Sequence, residues 1–518
     1  HVYQSKHQIL RYSLASEVNM LGRALERIAN VSRRWRDFTL ISLTRALIEI
    51  LAAFPVYRTY LREGQPPSEH DERRVLEAIR AARRNNPALN PSLFQFIEEV
   101  LLLRVPATEP EHAEHQRFAL RFQQLTGPVK AKAVEDTAFY RYNRLVCLNE
   151  VGNDPERFGG SIESFHAQNA ERARAWPLGM VATSTHDTKR GEDASARIAV
   201  LSEMPEIWRR TLRAFGELAT ASRGSVDGKP APSGSLEYLF YQTLVGAWPL
   251  ADTSDAREPF ILRMKEFMRK ASKEAKQQTS WTSPNAAYDA ATEAFVDEML
   301  RSDAFLDEVR KLSRLIAPYG AANSLALTLL KHCSPGVPDT YQGSELWNQS
   351  LVDPDNRRPV DFEERRSILA TLVRERARDP RALARTLLDD YADGRIKLYT
   401  THVALVARQR APELFRRGDY EALLAGEHVV AFTRSAGTQR LICATARLSY
   451  QKTAGRRPFA VGTAWDDERL RVPHAGRYRE LLTERVLDLG LDTRLSELFL
   501  DLPVALLLQE ERQPRSRR

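Results

Sequence analysis

The chain has 518 residues, 43% hydrophobic and 28% charged, with 76 basic against 68 acidic residues for a net charge of +8. That length exceeds one ordinary core and implies two to four domains. No run approaches the roughly 18 apolar residues that cross a bilayer, which excludes a membrane-spanning reading. The basic excess is mostly Arg scattered along the chain, without a stripe of basic and aromatic residues, and so argues against nucleic acid as a partner. Cys147, Cys333 and Cys443 are odd in number and far apart. Neither a disulfide framework nor a zinc cage is expected, a reducing cytoplasm is the fitting compartment, and no ligand-like spacing implies a metal or organic cofactor. The first residue is His1, inside a hydrophilic helix-like stretch, so an upstream portion is expected to be absent from this chain.

Over residues 13–54 apolar positions recur at helical spacing, as in Leu21, Leu25, Ile28 and Leu40, Leu43, Leu47, Ile50, and predict paired amphipathic helices. A loop around Gly64 to Pro67 leads to further helices up to about Gln124. A dense polar block follows, with Glu135, Asp136, Tyr140 and Tyr142 near its end. Residues 180–190 read MVATSTHDTKR: a short apolar run stops abruptly at His186, Asp187, Lys189 and Arg190. Such a pattern suits a strand giving way to a catalytic loop in a parallel barrel, although a His-Asp pair also occurs in ordinary turns and caps.

Helical segments are expected over roughly 204–315, interrupted by a Gly/Ser/Pro-rich linker at 222–235. Within them, the aromatic stripe 238–249 reads first as core and the Lys-rich stretch 263–276 as a solvated face. Trp281, in a turn, is a candidate for stacking on a sugar. Tyr341 and Gln342 follow a short Pro335–Pro338 strand, and residues 351–361 read LVDPDNRRPVD. Asp355, Asn356, Arg357 and Arg358 are too polar in series for a core, which favours a binding loop over a surface salt-bridge cluster. From about Arg416, alternating runs at 429–434, 440–446, 459–461 and 498–509 predict antiparallel strands.

Aromatic faces beside carboxylates and guanidinium groups suit a sugar, whose ring has apolar faces and whose hydroxyls take bidentate hydrogen bonds. Taken in order, residues 134–142, 183–190 and 351–361 resemble blocks of the maltooligosyl trehalose synthases, intracellular members of the alpha-amylase superfamily. The resemblance extends through 236–250, 273–285 and 418–424.

It implies an α/β chain holding the C-terminal part of a (β/α)8 barrel with large helical insertions, followed by a small antiparallel β-sandwich. The implied divisions are a helical insertion over 1–125, barrel strands with the His-Asp pair over 126–205 and a second insertion over 206–320. The last strand, substrate loop and closing helices follow over 321–415, the sandwich over 416–511 and a disordered tail over 512–518. The implied activity is isomerisation of the reducing-end alpha-1,4 bond of a maltooligosaccharide, or of a glycogen-derived glucan, to alpha,alpha-1,1.

Such a retaining displacement needs a nucleophile and an acid roughly 5 Å apart. Neither of the family's blocks carrying them is found here, so the chain resembles a portion lacking the first half of the barrel and is expected to be inactive alone. By the same resemblance Asp187 is the third carboxylate, a catalytic group, and His186 its neighbour on the same sugar. Glu135 and Asp136 position substrate or loops. Tyr140 and Tyr142 line the groove or pack in the core, and Lys189 and Arg190 hold the terminal sugar or pair with carboxylates. Another hydrolase of the superfamily and a noncatalytic glycan-binding protein are the competing readings, and the oligomeric state is not legible.

Overall fold

A computed structural model describes residues 1–104, 109–250 and 254–510; the expected tail at 512–518 lies outside the described residues. The chain divides into two compact units, residues 1–142 with 271–285, and residues 143–270 with 286–518.

The first unit is helical: α1 (Val2–Gln8), α2 (Ala15–Val31), α3 (Leu40–Ala53), α4 (Glu69–Asn85), α5 (Pro91–Leu101) and α6 (Glu109–Lys130). The periodic residues of 13–54 do what their spacing predicts. Leu21, Leu25 and Ile28 of α2 and Leu43, Leu47 and Ile50 of α3 are buried in one cluster with Phe94, Phe96, Phe118 and Phe122. Polar residues fix the helix starts. Ser68 accepts the Asp71 amide at 3.1 Å, and Asn90 caps α5 with Pro91 in its first turn.

The second unit contains α7 (Ile162–Ala175), β1 (Met180–Val181), α8 (Glu192–Ala199), α9 (Pro205–Leu218), β2 (Gly224–Val226), β3 (Lys229–Ala231), α10 (Gly234–Ala247), the start of α11 (Ser254–Ala275), α12 (Ala286–Arg301), α13 (Asp303–Cys333), β4 (Val337–Pro338), α14 (Phe362–Arg378), α15 (Pro380–Asp389), α16 (Arg395–Arg410) and α17 (Pro412–Arg417). The aromatic stripe of α10 is core, with Phe240 and Tyr241 buried. The expected linker at 222–235 is instead a hairpin. Asp227 and Gly228 both have positive φ, as a two-residue turn joining β2 to β3 requires, and Asp-Gly is the local signal for it. Strand β1 pairs with β4 in parallel, Met180 opposite Val337 and Val181 opposite Pro338. Gly336 makes that approach feasible: its φ is +120°, and a Cβ there would come within 2.7 Å of the Gly179 carbonyl oxygen.

The chain then forms β5 (Asp419–Leu423), β6 (Val429–Ala436), β7 (Gln439–Ala446), β8 (Arg469–Arg471), β9 (Gly476–Glu480), β10 (Val486–Leu489), β11 (Asp492–Arg494) and β12 (Val504–Gln509), with short helices α18 (Ser449–Thr453) and α19 (Leu495–Leu498) between. Antiparallel pairing is as expected, but it builds one main sheet. Six strands form one sheet in the order β10-β9-β12-β7-β6-β5, and β8 and β11 form a separate ribbon. Residues 459–461 are not a strand. Both faces of the sheet are covered, and side chains alternate between them. Ala431, Ile442, Ala444, Ala505 and Leu507 pack with Leu470 of β8, Trp465 and Phe499. Phe432, Leu441, Cys443, Val504 and Leu506 pack with residues of α13, α16 and α17, including Leu329, Tyr399 and Leu414. The helices and the sheet therefore share a core.

Two guanidinium groups close the end of α13, whose last carbonyls have no partner within the helix. Arg408 donates to the His332 and Gly336 carbonyls at 2.8 and 3.1 Å. Arg434, 2% exposed, donates to the carbonyls of Cys333, Phe415 and Gly418. It has no carboxylate partner among the described residues, and burial lowers it to about 10. No helix among the described residues is long and apolar enough to cross a membrane.

His332 sits beneath those caps. Its Nδ1 donates to the Thr328 carbonyl at 2.7 Å, whereas its Nε2 is buried without a hydrogen-bond partner among the described residues. Burial lowers it from 6.5 to about 4, and the Lys331 and Arg408 charges add to the effect. A folded-state pKa below the unfolded one means that the unfolded chain takes up the proton first. Stability is complete above 6.5 and falls as the pH drops towards 4. Between pH 7 and pH 5, denaturant unfolding should show the protein losing about 2 kcal/mol more than His332→Gln does; equal losses would mean that His332 titrates normally.

Candidate functional site

Chemistry in parallel α/β proteins concentrates at the carboxyl ends of strands. Here those ends release two segments, 182–191 after β1 and 339–358 after β4, which are laced together. The Asp339 amide donates to the Val181 carbonyl at 2.8 Å and the Gly191 amide to the Ser350 carbonyl at 2.8 Å, and Arg190 bridges to Leu351. Gly191 has to be bare, because a Cβ would stand 2.4 Å from the Asn348 carbonyl oxygen.

Beneath the two segments lies a buried ion cluster. Lys397 of α16 has a side chain 1% exposed, and its Nζ lies 2.6 Å from Glu192 and 2.7 Å from Asp193, the first two residues of α8. Lys331 of α13 lies 3.5 Å from Glu192. The cluster reaches both segments. Lys397 donates to the Leu346 carbonyl at 3.2 Å, the Asn348 amide donates to Asp193 at 2.5 Å, and the Thr183 hydroxyl donates to Glu192. Burial pushes the Glu192 carboxyl up, but Lys397 and Lys331 outweigh it and hold it at about 2. Asp193 is raised by its burial, with the Glu192 charge adding to the rise. Sequence reasoning missed this cluster. The available signal was a lone Lys397 amid Ile396, Leu398 and Tyr399, facing an acidic pair that opens a helix.

The His-Asp pair rides on a turn built by threonines. Thr188 Oγ1 donates to the Thr185 carbonyl at 2.9 Å, and the Asp187 amide donates to Thr185 Oγ1 at 3.2 Å. His186 and Asp187 are exposed at its tip, whereas Ser184, Thr188, Lys189 and Arg190 are buried behind it. The Lys189 amide donates to Glu150 at 2.7 Å, and the Arg190 guanidinium donates to the Val146 carbonyl at 2.8 Å. The stretch 183–190 is thus half display and half foundation.

The 351–358 loop joins the same site. Asn356 Nδ2 donates to the His186 carbonyl at 3.0 Å, and Tyr341 donates its hydroxyl to the Asn356 carbonyl at 3.2 Å. Asp355 receives a two-pronged bond from Arg263, at 2.7 and 2.8 Å, and the Leu351 amide at 2.7 Å. Burial acts to raise Asp355, but Arg263 prevails and keeps it below the usual carboxylate range. Lys270 donates to the Asp353 carbonyl at 2.6 Å and Arg357 pairs with Asp353 at 2.6 Å. The basic stretch expected to be a solvated face therefore includes Arg263 and Lys270, which clamp this loop. A cavity of about 420 Å³ opens beside it, lined among others by Arg263, Gln342, Trp347, Asp355, Asn356 and Arg358. It combines an aromatic face with carboxylate, amide and guanidinium groups, the mixture a sugar requires.

The first unit holds the remaining candidates. Glu135 is buried and accepts the Tyr57 hydroxyl, and Asp136 pairs with Lys132 at 2.8 Å. Tyr140 is buried and Tyr142 partly so. Arg141 Nε donates to the Ala275 carbonyl at 2.6 Å and Lys276 to Thr137 Oγ1 at 3.1 Å, which fastens 271–285 to this block. Trp281 is 55% exposed, with its Nε1 bonded to Glu274 at 3.0 Å and Lys273 lying 5.1 Å from its ring. Among the described residues no His, Cys, Asp or Glu group is arranged to hold a metal ion.

Loops laced at the ends of two parallel strands beside a polar cavity make up a candidate ligand site. No family model matches the chain. A curated relative from Mycobacterium tuberculosis, named as a maltooligosyl trehalose synthase, is 38% identical over 396 residues, covering 76% of this chain and 46% of that protein. The solved maltooligosyltrehalose synthase from Arthrobacter ramosus matches with 33% identity and a TM-score of 0.77, over 98% of this chain and 58% of that one. A second solved maltooligosyl trehalose synthase gives 28% and 0.69, over 98% and 57%. The chain is a homologue of the maltooligosyl trehalose synthases, and it spans about half the length of the curated relative.

Replacing Lys397 with Met should leave buried Asp193 without its paired cation and Glu192 with only the more distant Lys331, and cost about 3–5 kcal/mol in denaturant unfolding. Adding Glu192→Gln and Asp193→Asn to that variant should recover part of the loss. Simple additivity would mean that the three groups do not act as a unit.

Proposed function

We propose that this chain carries the substrate-holding and transition-state-stabilising part of a maltooligosyl trehalose synthase, converting the reducing-end alpha-1,4 bond of a maltooligosaccharide into an alpha,alpha-1,1 bond. The observation that carries the reading is the exposed His186-Asp187 turn, tied through Asn356 to the polar loop that lines the cavity, in a homologue of those synthases. Asp187 is the carboxylate that gains most from the transition state, because positive charge develops at the anomeric carbon as the ring flattens. His186 holds a hydroxyl of the same ring. Trp347, Asp355, Asn356 and Arg358 hold neighbouring sugars, and Arg263 keeps Asp355 ionised and in position. Trp281 offers an exposed stacking face. The attacking carboxylate and the acid belong to family blocks that this sequence does not match, so the full reaction depends on their being supplied alongside this chain. A barrel fold for the segment around β1 and β4, a cytoplasmic setting and the domain divisions of the sequence reading belong to the same proposal.

Incubation of the assembled enzyme with maltopentaose should remove reducing ends without releasing glucose. Accumulation of shortened linear maltooligosaccharides would favour a hydrolase, and binding without turnover a glycan-binding protein. In that enzyme Asp187→Asn should lower kcat by about 100-fold or more, on the order of 3 kcal/mol, with KM little changed. A near-normal kcat would make Asp187 a structural residue.

A further inference from the structure

At the rim of the six-stranded sheet three arginines converge on one carboxylate. Asp501, between α19 and β12, has a side chain 1% exposed. Its oxygens lie 3.1 Å from Arg381 Nε, 2.6 Å from Arg385 Nε and 2.9 Å from Arg485 Nε. Arg381 and Arg385 stand one helical turn apart on α15, whereas Arg485 comes from the turn joining β9 to β10. Three cations on one anion leave an excess of two positive charges.

Nearby carboxylates do not remove that excess. Glu484 is engaged by Arg376 and Arg479, and Glu510 by Arg477 and Arg479. Glu480 is buried and accepts the amides of Leu482, Thr483 and Leu506 and the Thr483 hydroxyl. Burial lowers Arg485; the charges of Asp501 and Glu480 oppose that, and those of Arg381 and Arg385 add to it. Arg485 spends a terminal nitrogen on the Glu497 carbonyl at 3.0 Å. Arg381 and Arg385 bind Asp501 through Nε alone; their terminal nitrogens have no protein partner among the described residues, and their side chains are 41% and 54% exposed.

We propose that Arg381, Arg385 and Arg485 form a binding site for a phosphoryl group, either free phosphate or the phosphate of a sugar monoester, away from the cavity beside the 351–358 loop. Asp501 is the buried post to which Arg381 and Arg385 donate, Arg485 adds its charge at 2.9 Å, and the outward donors of Arg381 and Arg385 take the oxygens of the ligand. Guanidinium planes match a tetrahedral dianion through paired N–H donors, and a dianion neutralises the excess of two charges. The partial exposure of the two arginines sets an affinity on the order of millimolar at physiological salt.

The test is thermal unfolding of the full chain against inorganic phosphate and, separately, a hexose monophosphate, at ionic strength held constant with chloride. The expected result is a saturable rise in Tm that is weakened about tenfold or more in Arg385→Gln and retained in Arg366→Gln, an exposed change of the same charge on α14. A response to inorganic phosphate identifies the free anion as sufficient; a response to the ester alone identifies the ester. Equilibrium dialysis of the folded Arg385→Gln protein at low temperature separates lost binding from lost stability. The proposal is overturned by the absence of a saturable response to either ligand, by its survival in Arg385→Gln, or by its equal loss in Arg366→Gln. Because the readout is binding, the result stands apart from the outcome of the maltopentaose experiment.

Discussion

An ammonium group enclosed by protein has to be matched by charge on the spot, and Lys397 is matched twice. Removing an ion from water costs several kcal/mol, and only close counter-charges with well-directed hydrogen bonds recover it. Glu192 and Asp193 meet that requirement from the first turn of α8, where the helix dipole also favours negative charge. Their position determines where α8 can begin relative to α16, and Lys331 adds a third helix, α13. Such a cluster tolerates little displacement, so every group hydrogen-bonded to it inherits a fixed place.

The segments after β1 and β4 are those groups. Asp193 holds the Asn348 amide, Glu192 the Thr183 hydroxyl and Lys397 the Leu346 carbonyl. With their bases fixed, the loops can expose polar side chains at their tips without fraying. His186 and Asp187 stand in solvent because Ser184, Thr188, Lys189 and Arg190 are packed behind them. Arg263 does for the 351–358 loop what Lys397 does underneath, through a charge-assisted fork on Asp355. This loop surface thus gains rigidity from buried electrostatics rather than from regular secondary structure.

The sheet shows the same economy in apolar form. Strands β6 and β7 are covered on one side by α13, α16 and α17 and on the other by the β8-β11 ribbon with Trp465 and Phe499. Arg434 in β6 reaches the carbonyl ends of α13 and α17, so a charged residue in a buried strand is satisfied by helix termini instead of by an acid. That places the end of α13, the start of β4 and the sheet in one continuous packing problem.

Several features were legible in the residues alone. The 3.6-residue spacing of Leu21, Leu25 and Ile28 dictated α2, because that period leaves only one face to bury. The alternating runs at 429–434 and 440–446 dictated strands, and the unusual density of charge at 183–190 and 351–361 marked loops, although Lys189, Arg190 and Asn356 within them are buried. Local order also decided the 222–235 hairpin, through Asp227 and Gly228, although composition alone made it look like a linker. Long-range matching was a different matter. Nothing near Lys397 in sequence announces Glu192, nothing near Asp355 announces Arg263, and Asp501 meets arginines from two other segments, α15 and the β9–β10 turn. Periodicity and turn chemistry act between neighbours in the chain and can be read there. Which buried charge finds which partner depends on how the helices pack, and only the tertiary structure decides that, because the cost of leaving such a charge unpaired arises once water has been excluded around it.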